Sequence, residues 1–172
     1  MRHPVYLLLL LSFLLGVSAC KKDDPEDKLP PATQTGAGTF GCLVNGQAWL
    51  PFGTTGSGSD GIDYDQGLVY IRARRFETDG RNFQSMKLYI DSVARTGRYP
   101  LGMPHGQASF HDSRSEDCYL ATQEPGTVTE GQLTVTRFDL SAHIISGTFE
   151  FTLTKPGCEP LKVTKGRFDY RL

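Results

Sequence analysis

Beyond residue 38, apolar side chains recur at every second position, the period of a strand with one buried face. Val69, Ile71 and Ala73 share one side, and Tyr70, Arg72 and Arg74 the other. Met86, Leu88 and Ile90 alternate with Lys87, Tyr89 and Asp91, and Leu133 and Val135 with Thr134 and Thr136. Phe149, Phe151 and Leu153 alternate with Thr148, Glu150 and Thr152, and Phe168, Tyr170 and Leu172 with Arg167, Asp169 and Arg171. No stretch keeps helical spacing for three turns. The breaks hold turn residues: Pro51, Gly53, Gly80, Pro100, Pro104, Gly126 and Pro156-Gly157. Asn45-Gly46, between Cys42–Val44 and Gln47–Leu50, predicts a tight hairpin, because both central positions of such a turn need positive φ. About eight or nine strands result, solvated on one face and therefore antiparallel. The expected fold is all-β, an antiparallel β-sandwich, with a flattened up-and-down, lipocalin-like barrel as the alternative. Ile145–Leu153 and Val163–Leu172 echo one another around Gly147 and Gly166, and the second copy carries one extra residue, as a β-bulge requires.

The first 38 residues follow other rules. Arg2 and His3 precede an apolar run from Val5 to Val17, too short for a bilayer-spanning helix of about 20 residues and apolar on every side. Residues 1–19 therefore read as a signal peptide. Val17-Ser18-Ala19-Cys20 resembles the bacterial lipobox, which implies cleavage before Cys20 and acyl chains on that cysteine. Lys21-Lys22-Asp23-Asp24 resembles the export signal of surface lipoproteins of the Bacteroidetes kind. Phe40–Gly46, Trp49, Ser146–Phe151 and Thr164–Asp169 resemble a family of lipoproteins of the same bacteria whose activity is undefined. The resemblance implies an outer-membrane location, surface-exposed or periplasm-facing, and no mechanism. Residues 20–38 hold almost no apolar side chain and read as a disordered tether, reaching at most about 60 Å when stretched. The domain proper is expected over residues 39–172.

The 172 residues carry 18 basic and 19 acidic side chains, without the concentrated positive surface that phosphate neutralisation demands. Nucleic acid is not an expected partner. With Cys20 lipidated, Cys42, Cys118 and Cys158 remain, enough in an oxidising compartment for one disulfide and one free thiol. The two ends of a sandwich chain often meet, so Cys42–Cys158 is the expected bridge and Cys118–Cys158 the alternative.

Candidate chemistry is thin. Gly56–Gly61 has G-x-G-x-x-G spacing but lacks the strand before and helix after that phosphate binding needs, so it reads as a loop. Asp60, Asp63 and Asp65 in that region miss the EF-hand spacing. His105, His111, Asp112, Glu116 and Asp117 form the densest polar cluster, in a stretch that reads as loop; zinc or another divalent ion there would give a small metal-dependent hydrolase. No metal, cofactor or enzyme activity is expected. Tyr70, Arg72, Arg74 and Tyr89 are the candidate binding residues: if their strands pair, two rings and two guanidiniums line one surface, suited to sugars and carboxylates. The expectation is a monomeric, lipid-anchored envelope module binding a glycan or protein, with a small-ligand carrier as the alternative.

Overall fold

The structure, a computed structural model, describes residues 24–52, 61–77 and 80–172. Eleven strands form in the described residues: β1 (Thr39–Val44), β2 (Gln47–Trp49), β3 (Gly61–Asp65), β4 (Leu68–Phe76), β5 (Phe83–Ile90) and β6 (Gly97–Pro100), then β7 (Gly106–Asp112), β8 (Leu120–Ala121), β9 (Val128–Asp139), β10 (Ile144–Thr154) and β11 (Leu161–Arg171). A six-stranded antiparallel sheet has the order β2-β1-β11-β10-β9-β6, and a five-stranded one β3-β4-β5-β7-β8. The sheets do not close into a barrel. They face each other across the core, so the fold is a β-sandwich.

The alternating residues fill the space between them. Val69, Ile71, Ala73, Met86, Leu88 and Ile90 from one sheet meet Leu133, Val135, Phe149, Phe151, Leu153 and Phe168 from the other. Phe40 stacks on Phe149 at 5.1 Å and meets Trp49 edge-on, and Trp49 in turn meets Phe110 of the opposite sheet. The Trp49 indole N–H donates to Gln84 at 2.8 Å, giving the ring's polar edge a partner. The Asn45-Gly46 turn forms as expected, with φ of 48° and 79°.

The echo between the last two strands has a packing meaning. Gly147 lies opposite Phe168, and Phe149 opposite Gly166. A Cβ on Gly147 would sit 2.8 Å from the Phe168 ring, and one on Gly166 would sit 2.4 Å from the Phe149 ring. Each copy thus supplies a ring that lies flat over the other copy's glycine. The extra residue is Lys165, at φ 55°, where the pairing of β10 with β11 shifts register.

Two expectations are corrected. Residues 24–38, taken for part of a disordered tether, form a strap across the outside of the six-stranded sheet. It begins with a 3-10 turn, Pro25–Lys28, capped by the Asp24 carboxylate, and Leu29 is buried. Arg167 bonds Glu26 at 3.0 Å and the Pro30 carbonyl at 3.3 Å, and Arg137 bonds the Gln34 carbonyl. Polar contacts do here what apolar side chains do elsewhere, so composition alone did not reveal an ordered segment. The disulfide is Cys118–Cys158, with Cα atoms 5.6 Å apart, and not Cys42–Cys158. Cys42 points inward from β1, with no exposure, while Cys158 lies in the β10–β11 connection beside the 3-10 turn Glu116–Cys118. Burial pushes the Cys42 thiol up to about 12.

Candidate functional site

The outer face of the five-stranded sheet gathers the candidate binding residues. Antiparallel register sets Tyr70 directly opposite Tyr89, Arg72 opposite Lys87 and Arg74 opposite Ser85. On the far side of β5, Gln107 lies opposite Tyr89, Ser109 opposite Lys87 and His111 opposite Ser85. Period-two alternation points all of these away from the core. Tyr119, just before β8, adds a third tyrosine, with its ring 5.6 Å from that of His111 and edge-on to it.

Two shallow recesses of about 400 Å³ each lie on this face and share Tyr70 and Lys87. Tyr89, Gln107, Ser109, Tyr119 and Gln123 complete the first, and Arg72, Arg74, Phe83, Ser85 and His111 line the second. Arg72 lies 5.1 Å from the Tyr70 ring centre and bonds Asp63 at 2.6 Å. Its Nε is shielded from solvent and has no acceptor among the described residues. Arg74 lies over Phe76. Lys87 is exposed and has no hydrogen-bond or ion-pair partner among the described residues. The face therefore offers flat apolar rings, amide and hydroxyl groups, and positive charge without a matching negative one at Lys87.

The candidate metal cluster is dispersed. His105 bonds Asp91 at 3.1 Å, His111 packs between Phe83 and Tyr119, and Asp112 is held by Arg114 at 2.6 Å. The hydrogen bonds from Arg114 outweigh partial burial and hold the Asp112 carboxyl below the usual carboxylate range. Among the described residues no three histidine, cysteine, aspartate or glutamate side chains converge as a metal site. Asp63 and Asp65 lie in β3 rather than a loop, and residues 53–60, with the glycine-rich motif's first five positions, lie outside the described residues.

Tyr119, Gln107, Ser109 and Gln123 were not among the expected binding residues. The stretch from 104 to 117 reads as a loop when its histidines and acids are weighed. Yet Gln107, Ser109 and His111 alternate with Ala108 and Phe110, the same period that marks β4 and β5. Tyr119 and Gln123 carry no such signal; the sheet order brings them in.

A third recess, open and about 730 Å³, lies at the other end of β4 and β5. Its wall includes Pro25 and Lys28 of the strap, Leu50, Pro51 and Phe52 after β2, and Arg75, Phe76 and Phe83.

Fold and surface together define a small antiparallel β-sandwich with an aromatic and basic sheet face and no recognisable catalytic constellation among its described residues. Residues 62–170 match the model of a domain of unknown function, DUF6252, and the chain belongs to that family. The match begins in β3 and ends in β11, so the strap, β1 and β2 lie outside it. No curated protein and no solved structure matched the chain.

Proposed function

We propose that the chain is an envelope-displayed binding module, acylated at Cys20, that takes a saccharide on the outer face of its five-stranded sheet. One observation carries the ligand class: Tyr70 and Tyr89 stand directly opposite each other in the sheet, beside the unpartnered Lys87. Paired rings give a sugar's apolar face something to lie on, while amides, hydroxyls and cations bond its edge. A carrier of a small apolar ligand is less well supported, since the space between the sheets is filled by side chains.

The lipobox-like Val17–Cys20 supports the anchor, and Lys21–Asp24 supports display at the surface of the outer membrane. Intact mass of the membrane-extracted protein tests the first: acyl chains on a chain beginning at Cys20 are expected, and an unmodified chain refutes it. A glycan array tests the second, comparing the parent with Tyr70→Ser plus Tyr89→Ser. Binding by the parent, lost in a variant of unchanged melting temperature, supports the face. Absence of saccharide binding by the parent refutes the ligand class, and capture of a protein instead would assign the face to a protein partner.

A further inference from the structure

The ordered strap changes how close an anchor at Cys20 holds the domain. The strap is in place from Asp24 onward, and four residues of chain span at most about 14 Å even when fully extended. Pro25 and Lys28, next to that exit point, line the recess of about 730 Å³ at the Phe76–Phe83 end of the five-stranded sheet. The recess and the acyl chains of Cys20 are thus neighbours by covalent length alone.

The rim has the composition of a surface that meets lipid. Phe52 is 63% exposed, one of the two most exposed large apolar residues among those described. Pro51, Leu50 and Phe76 continue the apolar surface beside it. Among the charged groups on the rim, Glu77 and Arg114 bond each other at 3.0 Å. Arg114 also holds Asp112 at 2.6 Å, so that group carries one net negative charge. Lys28 and Arg75, both exposed, have no side-chain partner among the described residues and leave two unpaired cations on the rim. An aromatic ring on the same rim as basic side chains matches the boundary between headgroups and acyl chains, where each part finds its preferred medium.

We propose that this rim, with Phe52 at its edge, rests on the anionic phospholipid surface that holds the anchor; the inference rests on the acylation of Cys20 proposed above. The domain then has a fixed orientation on the bilayer. β4 runs from the Tyr70 row toward Phe76, so the paired tyrosines stand at the end away from lipid.

The test uses the full acylated chain in vesicles of phosphatidylethanolamine and phosphatidylglycerol carrying brominated acyl chains. Phe52→Trp keeps an aromatic ring at the rim, and Met103→Trp places the same probe at a site of equal exposure, 63%, near the start of β7 and away from the recess. The native Trp49 is buried in the core and supplies a constant background. Bromolipid should quench roughly half of the added emission at position 52, where an interfacial indole belongs, and leave position 103 unchanged. Lys28→Glu with Arg75→Glu should relieve the quenching at position 52. Equal quenching at 52 and 103 on acylated protein overturns the inference alone. An intact mass without acyl chains overturns the anchor and, with it, this orientation.

Discussion

Asp169→Asn tests whether one carboxylate seats the strap. Asp169 is 1% exposed, although its position on β11 points away from the core; the strap is what covers it. Its Oδ2 accepts from the Thr33 hydroxyl at 2.6 Å, the Thr35 N–H at 2.9 Å, the Thr35 hydroxyl at 3.3 Å and the Ala37 N–H at 3.2 Å. Its Oδ1 accepts from the Gly36 N–H at 2.8 Å and the Ser146 hydroxyl at 2.6 Å. Burial alone would raise the carboxyl's pKa, but these donors outweigh it and hold the group below the usual carboxylate range. Asparagine keeps the shape, removes the charge and turns one acceptor into a donor facing other donors. A hydrogen bond to a charged group contributes about 1.5–3 kcal/mol and a neutral one about 0.5–1.5, while an orphaned buried donor costs about 1–3 kcal/mol. The combined loss is about 3–5 kcal/mol, bounded above because a released strap returns to water. Amide exchange at Gly36 and Ala37 should accelerate to the rate of an open segment, and the melting temperature should fall by roughly 10 °C. The depressed pKa also fixes the pH window. The parent holds this stability in full above the unfolded carboxylate value of about 3.9 and loses it as pH falls toward the folded value. The variant should show no such loss from this site. Unchanged exchange at Gly36 and Ala37 would refute the reasoning.

Further outcomes follow from the same geometry. Unreduced peptide mapping should link Cys118 to Cys158, and Cys118→Ala with Cys158→Ala should lower stability by up to about 4 kcal/mol for a separation of 40 residues. Cys42, fully buried and with its thiol pKa pushed up to about 12, should resist alkylation until the protein unfolds. Gly166→Ala would place a Cβ 2.5 Å from the Phe149 carbonyl oxygen and 2.4 Å from its ring, and should cost at least about 3 kcal/mol in denaturant titration. Replacing Phe149 by leucine in that variant should recover part of the loss, because the ring contact is relieved while the carbonyl contact stays.

The strands were legible because their alternation is a local signal: each of Val69, Ile71, Ala73, Met86, Leu88 and Ile90 is buried, as the pattern demands. Pairing of Tyr70 with Tyr89 followed from one short connection between adjacent strands. The disulfide was not legible, since it depends on where the β10–β11 connection lies relative to the opposite sheet, and no local pattern encodes that. The strap was hidden for another reason. Its bonds to Asp169 come largely from backbone N–H groups, which every non-proline residue possesses. Asp169 itself sits at an outward position of β11 and looks like any solvated acid until the covering segment is known. Tyr119 joined the candidate face only through strand order, because β8 pairs with β7 rather than with a sequence neighbour after it.

The seating of the strap also sets an order of assembly. Thr33 meets Asp169 across 136 residues, and β1 finds its main partner in β11. Contacts that close such long loops form late, after nearby hairpins have reduced the entropy of closure. The β4–β5 and β9–β10 hairpins can therefore form while the N-terminal segment is still loose, and β1 and the strap lock only once β11 has paired with β10. A chain in which residues 24–38 resist proteolysis is one whose final strand is already in place, so the strap reports completed folding at the end of the molecule nearest its proposed anchor.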